Sequence, residues 1–249
     1  MIRILPRFAV LACLYLLSGV CVAEAPPGDR ILVLNAAVSD PLSNAGQTGF
    51  ADRLVGMALE RLGYRLQTVH IPAERALIIA NAGINDGEIL RIGGLQDIYP
   101  NLIQVPEKLI DLEFVAFTRD PSLQVASWPD LANRPVAIIT GWKILERNIP
   151  PGTELVTVKN IDQLFTLLLK GRTDVILYSR WSGLAYIRKN RLQGIRIVEP
   201  PLERQGMYVY LHKRHRNLVP KLAEELRALK AEGEDRKLFR EVLAPYAGD

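Results

Sequence analysis

The chain has 249 residues, 49% of them hydrophobic and 23% charged, with 18 Gly and 16 Pro. Those proportions exclude disorder, collagen and coiled coil as descriptions of the whole chain, and the length is room for one large domain or two small ones. The formal charge is +4, but Arg3 and Arg7 supply two of those charges in the first 23 residues, where no acid occurs. The remainder is too weakly basic to point to nucleic acid.

Residues 1–7 are a short basic start, 8–20 an apolar run, and small residues follow up to Ala23. This three-part layout predicts a secretory signal peptide over 1–23, cut after Ala23, and a periplasmic mature protein. The apolar stretch 8–23 falls short of the ~20 residues a spanning helix needs. Val20 before Cys21 is bulky for a lipid-attachment site. Cys13 and Cys21 both lie in this segment, so the mature chain is expected to be free of thiols, with no disulfide framework, Cys nucleophile or Cys-ligated zinc. No later segment approaches ~20 apolar residues, and the mature protein is expected to be soluble.

After this opening, 31–38 reads as a buried strand and 39–48 as a polar loop. Residues 49–63 carry Phe50, Leu54, Met57, Ala58 and Leu62 at helical spacing, ending at Gly63. A strand over 64–71 follows; Pro72 then opens a helix that stops at Gly83. Strands are expected over 86–92 and 112–117. The second half repeats this grammar: a strand over 135–140 with a short helix, a strand over 153–158, a helix ending at Gly171, a strand over 174–178 and another helix. A short strand over 195–200 and a strand over 207–213 precede two polar amphipathic helices over 217–243. Strands separated by helices predict βαβ crossovers and a largely parallel sheet.

One echo stands out. ERALIIANAGINDGEIL and DQLFTLLLKGRTDVILY share the order apolar helix, Gly, two residues, Asp and apolar strand. Gly83 and Gly171 are both expected in the left-handed conformation that ends helices. Two lobes of similar build follow, one in each half, with the chain returning to the first lobe near Gln205.

No nucleophile elbow, H-E-x-x-H, Walker loop or G-x-G-x-x-G occurs. His70, His212 and His215 are scattered, no metal site or cofactor is expected, and the HKRHR run at 212–216 reads as a solvated basic stretch.

Ligands of open parallel sheets bind beyond the carboxyl ends of the strands, so polar residues there are the candidates. The loop after the first strand offers Ser39, Asp40 and Asn44. Arg75 sits in the first turn of a helix, against the dipole, and is either an anion contact or a surface cation beside Glu74. Glu88 and Arg91 lie three apart on a strand and should point to opposite faces, so they sit at an edge or pair. Arg91, next to a Gly-Gly turn, and Glu88 are candidate ligand contacts. Thr140 and Gly141 present backbone N–H groups at a helix start, an anion site without charge. Trp142, Tyr178 and Trp181 are either walls of a binding site or packed core.

The exported two-lobed pattern, the PAERAL helix and the paired G-x-x-D strands resemble an extracellular solute-binding protein of family 3, the amino-acid-type binding proteins of ABC importers. The resemblance covers about residues 30–246. It implies an α/β fold of the periplasmic-binding-protein type II kind, with two lobes joined by two crossover strands near 113–117 and 205–210. Lobe 1 would be 30–114 plus 207–249, and lobe 2 would be 115–206. It also implies a monomer without enzymatic activity that clasps a small-molecule ligand and meets an inner-membrane permease or receptor. Two anchors of the family depart from the pattern: no Arg occurs between Arg91 and Arg119, and Tyr178–Ser179 stands where an Asp usually holds the amino group. Arg75 or Arg91 would then replace the missing cation. The rival expectations are a lyase or dehydratase on the same scaffold, using Glu88 as acid or base, and a ligand-sensing accessory protein of a signalling receptor.

Overall fold

The computed structural model describes residues 30–247. The expected signal peptide and both cysteines lie outside the described residues. No helix among the described residues is long and apolar enough to cross a membrane.

The first half begins with β1 (Arg30–Ala36), α1 (Phe50–Arg61), β2 (Tyr64–His70), α2 (Ala73–Asn81) and β3 (Gly87–Ile92). β1 pairs in parallel with β2 on one side and β3 on the other. The apolar stripe of α1, including Phe50, Leu54 and Ala58, is buried. Asp52 closes the helix start by accepting from the backbone N–H of Asn44 and Gly49 at 2.9 and 3.2 Å, which satisfies groups that have no intrahelical partner.

The second half repeats this order with β5 (Pro135–Ile139), α3 (Lys143–Asn148), β6 (Glu154–Val158), α4 (Ile161–Leu169), β7 (Val175–Ser179) and α5 (Arg180–Lys189). β5 pairs in parallel with β6 and β7. The two parallel triplets, β2-β1-β3 and β7-β5-β6, are the echoed units. Gly83 and Gly171 both take the left-handed conformation, at φ 72° and 61°.

Two long strands join the halves: β4 (Leu102–Thr118) and β8 (Arg196–His212), which pair antiparallel with each other. β8 also pairs antiparallel with β3, and β4 with β7. The order β2-β1-β3-β8-β4-β7-β5-β6 corrects the expected largely parallel sheet: its three central pairings are antiparallel. It also corrects two strand assignments. The run 112–117 is only the end of β4, and the separate strands over 195–200 and 207–213 are one strand. Prolines interrupt both long strands. Pro106 sits where the β4–β8 register shifts between Gln104 and Lys108, and Pro200 and Pro201 sit opposite the shift between Phe114 and Ala116. Such irregularities are where a strand tolerates a residue with no N–H.

The chain closes with α6 (Val219–Glu232), α7 (Glu234–Leu238) and a π-helical turn at Phe239–Leu243. α6 packs on α1 and β4. The closing turns reach the other half: Phe239 meets Trp181 of α5 edge-on at 5.6 Å, and Arg188 donates to the Pro245 carbonyl at 2.9 Å.

The HKRHR run is not simply solvated. Arg214 and His215 both bond the Asp86 carboxylate, His215 at 2.6 Å, and Asp86 also accepts the Val33 N–H at 2.7 Å. This clamp ties the start of β3 to β1 and to the turn after β8.

Candidate functional site

The two halves face each other across the carboxyl ends of the parallel strands. A cavity of about 250 Å3 opens there. β1 and β2 end in its first wall, with Val38, Ser39, His70 and Ile71; β5, β6 and β7 end in the second, with Ile139, Lys159, Asn160 and Tyr178. Deeper in the cleft lies a second cavity of about 30 Å3, room for a water or two. Arg91, Leu112, Phe114, Gly141, Trp142 and Lys143 are among the residues around it.

Trp142 bridges both cavities. Its ring lies against Tyr178 with centroids 4.4 Å apart and meets Phe114 edge-on at 5.9 Å. Both rings are nearly fully buried, so Trp142 and Tyr178 are wall and core at once. Burial pushes the Tyr178 hydroxyl up to about 12, against a bond to Ser39 that lowers it.

Direct contacts cross the cleft. Lys143 Nζ of α3 donates to Glu74 of α2 at 2.5 Å and to Glu146 at 3.0 Å. Burial alone would lower the Lys143 ammonium, but these two carboxylates hold it above its ordinary value. Within the first half, Tyr99 donates to Glu74 at 3.2 Å. Ser39 and the Tyr178 hydroxyl approach at 3.4 Å, and Ser182 donates to the Ser39 carbonyl at 3.2 Å. Gly141, at φ +85°, lies so close to the start of α2 that a Cβ on it would come within 2.3 Å of the Glu74 nitrogen.

Glu88 and Arg91 form a buried pair, Nε to Oε2 at 2.6 Å. A bulge against β8 between them turns two strand residues that should diverge onto one another. Asn35 also donates to Glu88 at 3.2 Å, and Arg91 donates to the Ala73 carbonyl at 2.8 Å. Burial raises the Glu88 carboxyl above its ordinary value, with Arg91 and Asn35 opposing. Glu88 lines neither cleft cavity; Arg91 lines the deeper one.

The other candidates are placed as follows. Asp40 lines a further cavity of about 230 Å3, beside Ser39, Ile161 and Ser182, and accepts from Asn44 at 2.7 Å. Arg75 is exposed on α2 and lines neither cleft cavity. Thr140 is exposed; its N–H donates to the Val158 carbonyl at 2.9 Å, and the Gly141 N–H donates to Glu146 at 2.5 Å. Both of these N–H groups are therefore occupied within the chain. Trp181 faces the closing turns through Phe239. Arg180, its neighbour, bonds Glu113 at 2.6 Å and Glu199 at 2.7 Å, one on each long strand.

Sequence reasoning did not single out Lys143, Lys159 or His70 as cleft residues, nor Glu74 as a cleft partner. Their positions after strand ends, or in the first turn of a helix, were the available signal. The described residues contain no group of three or more His, Cys, Asp or Glu placed to hold a metal.

This two-lobed architecture is the periplasmic-binding-protein type II fold. Among solved structures, a mutant of the arginine-binding protein of T. maritima superposes with a TM-score of 0.74 at 20% identity, over 86% of this chain and 95% of that one. The GluR0 ligand-binding core in complex with L-glutamate gives 0.76 at 15% identity, over 86% and 98%. A histidine kinase sensor domain with similarity to periplasmic binding proteins gives 0.75 at 19% identity, over 87% and 97%. No protein-family model matches the chain. It belongs to one family with an uncharacterized protein of Shewanella oneidensis, to which it is 32% identical over 197 residues, 74% of this chain and 72% of that relative.

Proposed function

We propose that this chain is a periplasmic solute-binding protein that captures a small polar solute, anionic or amino-acid-like, between its lobes and delivers it to an ABC importer. We assign 30–114 plus 207–249 to the first lobe and 115–206 to the second. The observation that carries the reading is the cavity of about 250 Å3 lined by strand ends from both halves. A solute there touches both lobes only when they close, so it shifts the population toward the closed form.

The lining chemistry supports an anionic end. Lys159 and His70 line the cavity, whose lining holds no carboxylate; His70 Nε2 lies 3.1 Å from the Ser43 hydroxyl, whereas the Lys159 ammonium has no partner among the described residues. The nearby acids are engaged, Glu74 by Lys143 and Glu88 by Arg91. Ala37, Val38, Ile139 and Trp142 leave room for an apolar body. The arginine-binding and glutamate-bound neighbours support small-molecule capture, and the kinase sensor domain supports a second reading in which the partner is a signalling receptor. The enzymatic alternative lacks support from geometry, because its acid, Glu88, is 0% exposed and lines neither cavity.

Native mass spectrometry of the purified protein, followed by a solute panel including arginine, glutamate and dicarboxylates, tests the proposal. A retained or added solute is expected to shift Trp142 emission and the scattering radius, and Lys159→Met to weaken it about tenfold, the loss of one charge-assisted contact. A panel that moves neither signal would count against solute capture.

A further inference from the structure

A separate cavity of about 430 Å3 lies on the back of β4, within the size range of small-molecule sites. It shares no lining residue with either cleft cavity. Asp111 lines it while the next residue, Leu112, lines the cleft, as expected of strand neighbours that point to opposite faces. The facing wall is the C-terminal segment, from Lys230 of α6 through Asp235 and Arg236 of α7 to Phe239 and Arg240.

The floor is apolar, with Phe50, Leu109 and Phe239, and the rim carries four cations, Lys108, Lys230, Arg236 and Arg240, against two carboxylates, Asp111 and Asp235. Two rim cations are engaged: Lys108 bonds Asp111 at 2.7 Å and Lys230 bonds Glu107 at 2.5 Å. Arg236 and Arg240 are exposed and have no hydrogen bond or ion pair among the described residues. They stand four apart along a helical run, a spacing at which like charges repel. An anion between them relieves that repulsion, and Arg presents a planar fork suited to a carboxylate. Phe239 connects the cavity to the second half through Trp181 at 5.6 Å.

We propose that this cavity is a second ligand site, for an amphiphilic organic anion whose carboxylate sits between Arg236 and Arg240 and whose apolar body lies on Leu109 and Phe239. The site stands or falls independently of a solute in the cleft.

Titration of the full protein with octanoate, followed by the NMR signals of its three tryptophan indole N–H groups, tests it. Trp181→Phe assigns the reporter. A saturable shift of the Trp181 signal is expected, with affinity at least tenfold weaker in an Arg236→Gln/Arg240→Gln variant of unchanged melting temperature. Benzoate is expected to bind the same site, and inorganic phosphate more weakly than octanoate. The proposal is overturned by no saturable shift, by equal affinity in the variant, or by phosphate binding as tightly as octanoate. A shift confined to Trp142 also overturns it, because octanoate would then occupy the cleft.

Discussion

Asp86 illustrates what one residue does in this fold. Burial raises its carboxyl, but bonds from the Val33 N–H, Arg214 and His215 outweigh burial and hold it below the ordinary value. A carboxylate depressed in the fold contributes stability that is fully present above the unfolded value, about 3.9 for Asp. That contribution is lost as pH falls through the folded value. Denaturant midpoints measured from about pH 7 down to about pH 3 should therefore fall, and Asp86→Asn should start lower and flatten the acid side. An identical slope in the variant would remove Asp86 from the account. The sequence displayed Asp86 as part of an internal echo but gave no hint of its side-chain partners, which come from about 130 positions away along the chain. Glu88 and Arg91 were legible as a pair to be resolved. The bulge that resolves it depends on β8, beyond any local pattern.

Among the elements, the strand–helix grammar could be read because each apolar period and each closing glycine is local. The long strands could not, because proline interruptions look like ends unless the pairing partner is known. The meeting of α2 with the β5–α3 turn was also hidden. The sequence offers Gly141 for its N–H groups, yet its importance in the structure is the absence of a side chain. An added methyl would clash with the backbone of α2, and the left-handed conformation would cost about 1–2 kcal/mol more for a non-glycine residue. Gly141→Ala is expected to wedge the cleft open while leaving far-ultraviolet circular dichroism unchanged. Trp142 emission should move to the red and the scattering radius should grow; an unchanged radius would mean the turn yields instead of the lobes.

Across the whole molecule, the Glu74–Lys143 pair links the halves through side chains that are 38% and 18% exposed. An ion pair this accessible contributes about 1 kcal/mol or less and weakens with salt. The closed population should therefore decline as sodium chloride rises, read as an increase in scattering radius, and Lys143→Met should abolish the salt dependence. A salt response that persists in the variant would assign it elsewhere. The two-lobed plan was legible from the repeated order of elements, whereas the cross-cleft contacts were not, since each joins residues from different halves.

The strand order has a temporal corollary. β3 in the first half is flanked by β8, which begins at Arg196, so a growing polypeptide carries an open sheet edge until most of its length has been made. Each half supplies a missing staple to the other. The early part of the molecule must wait, with that edge unpaired, for the late part to arrive.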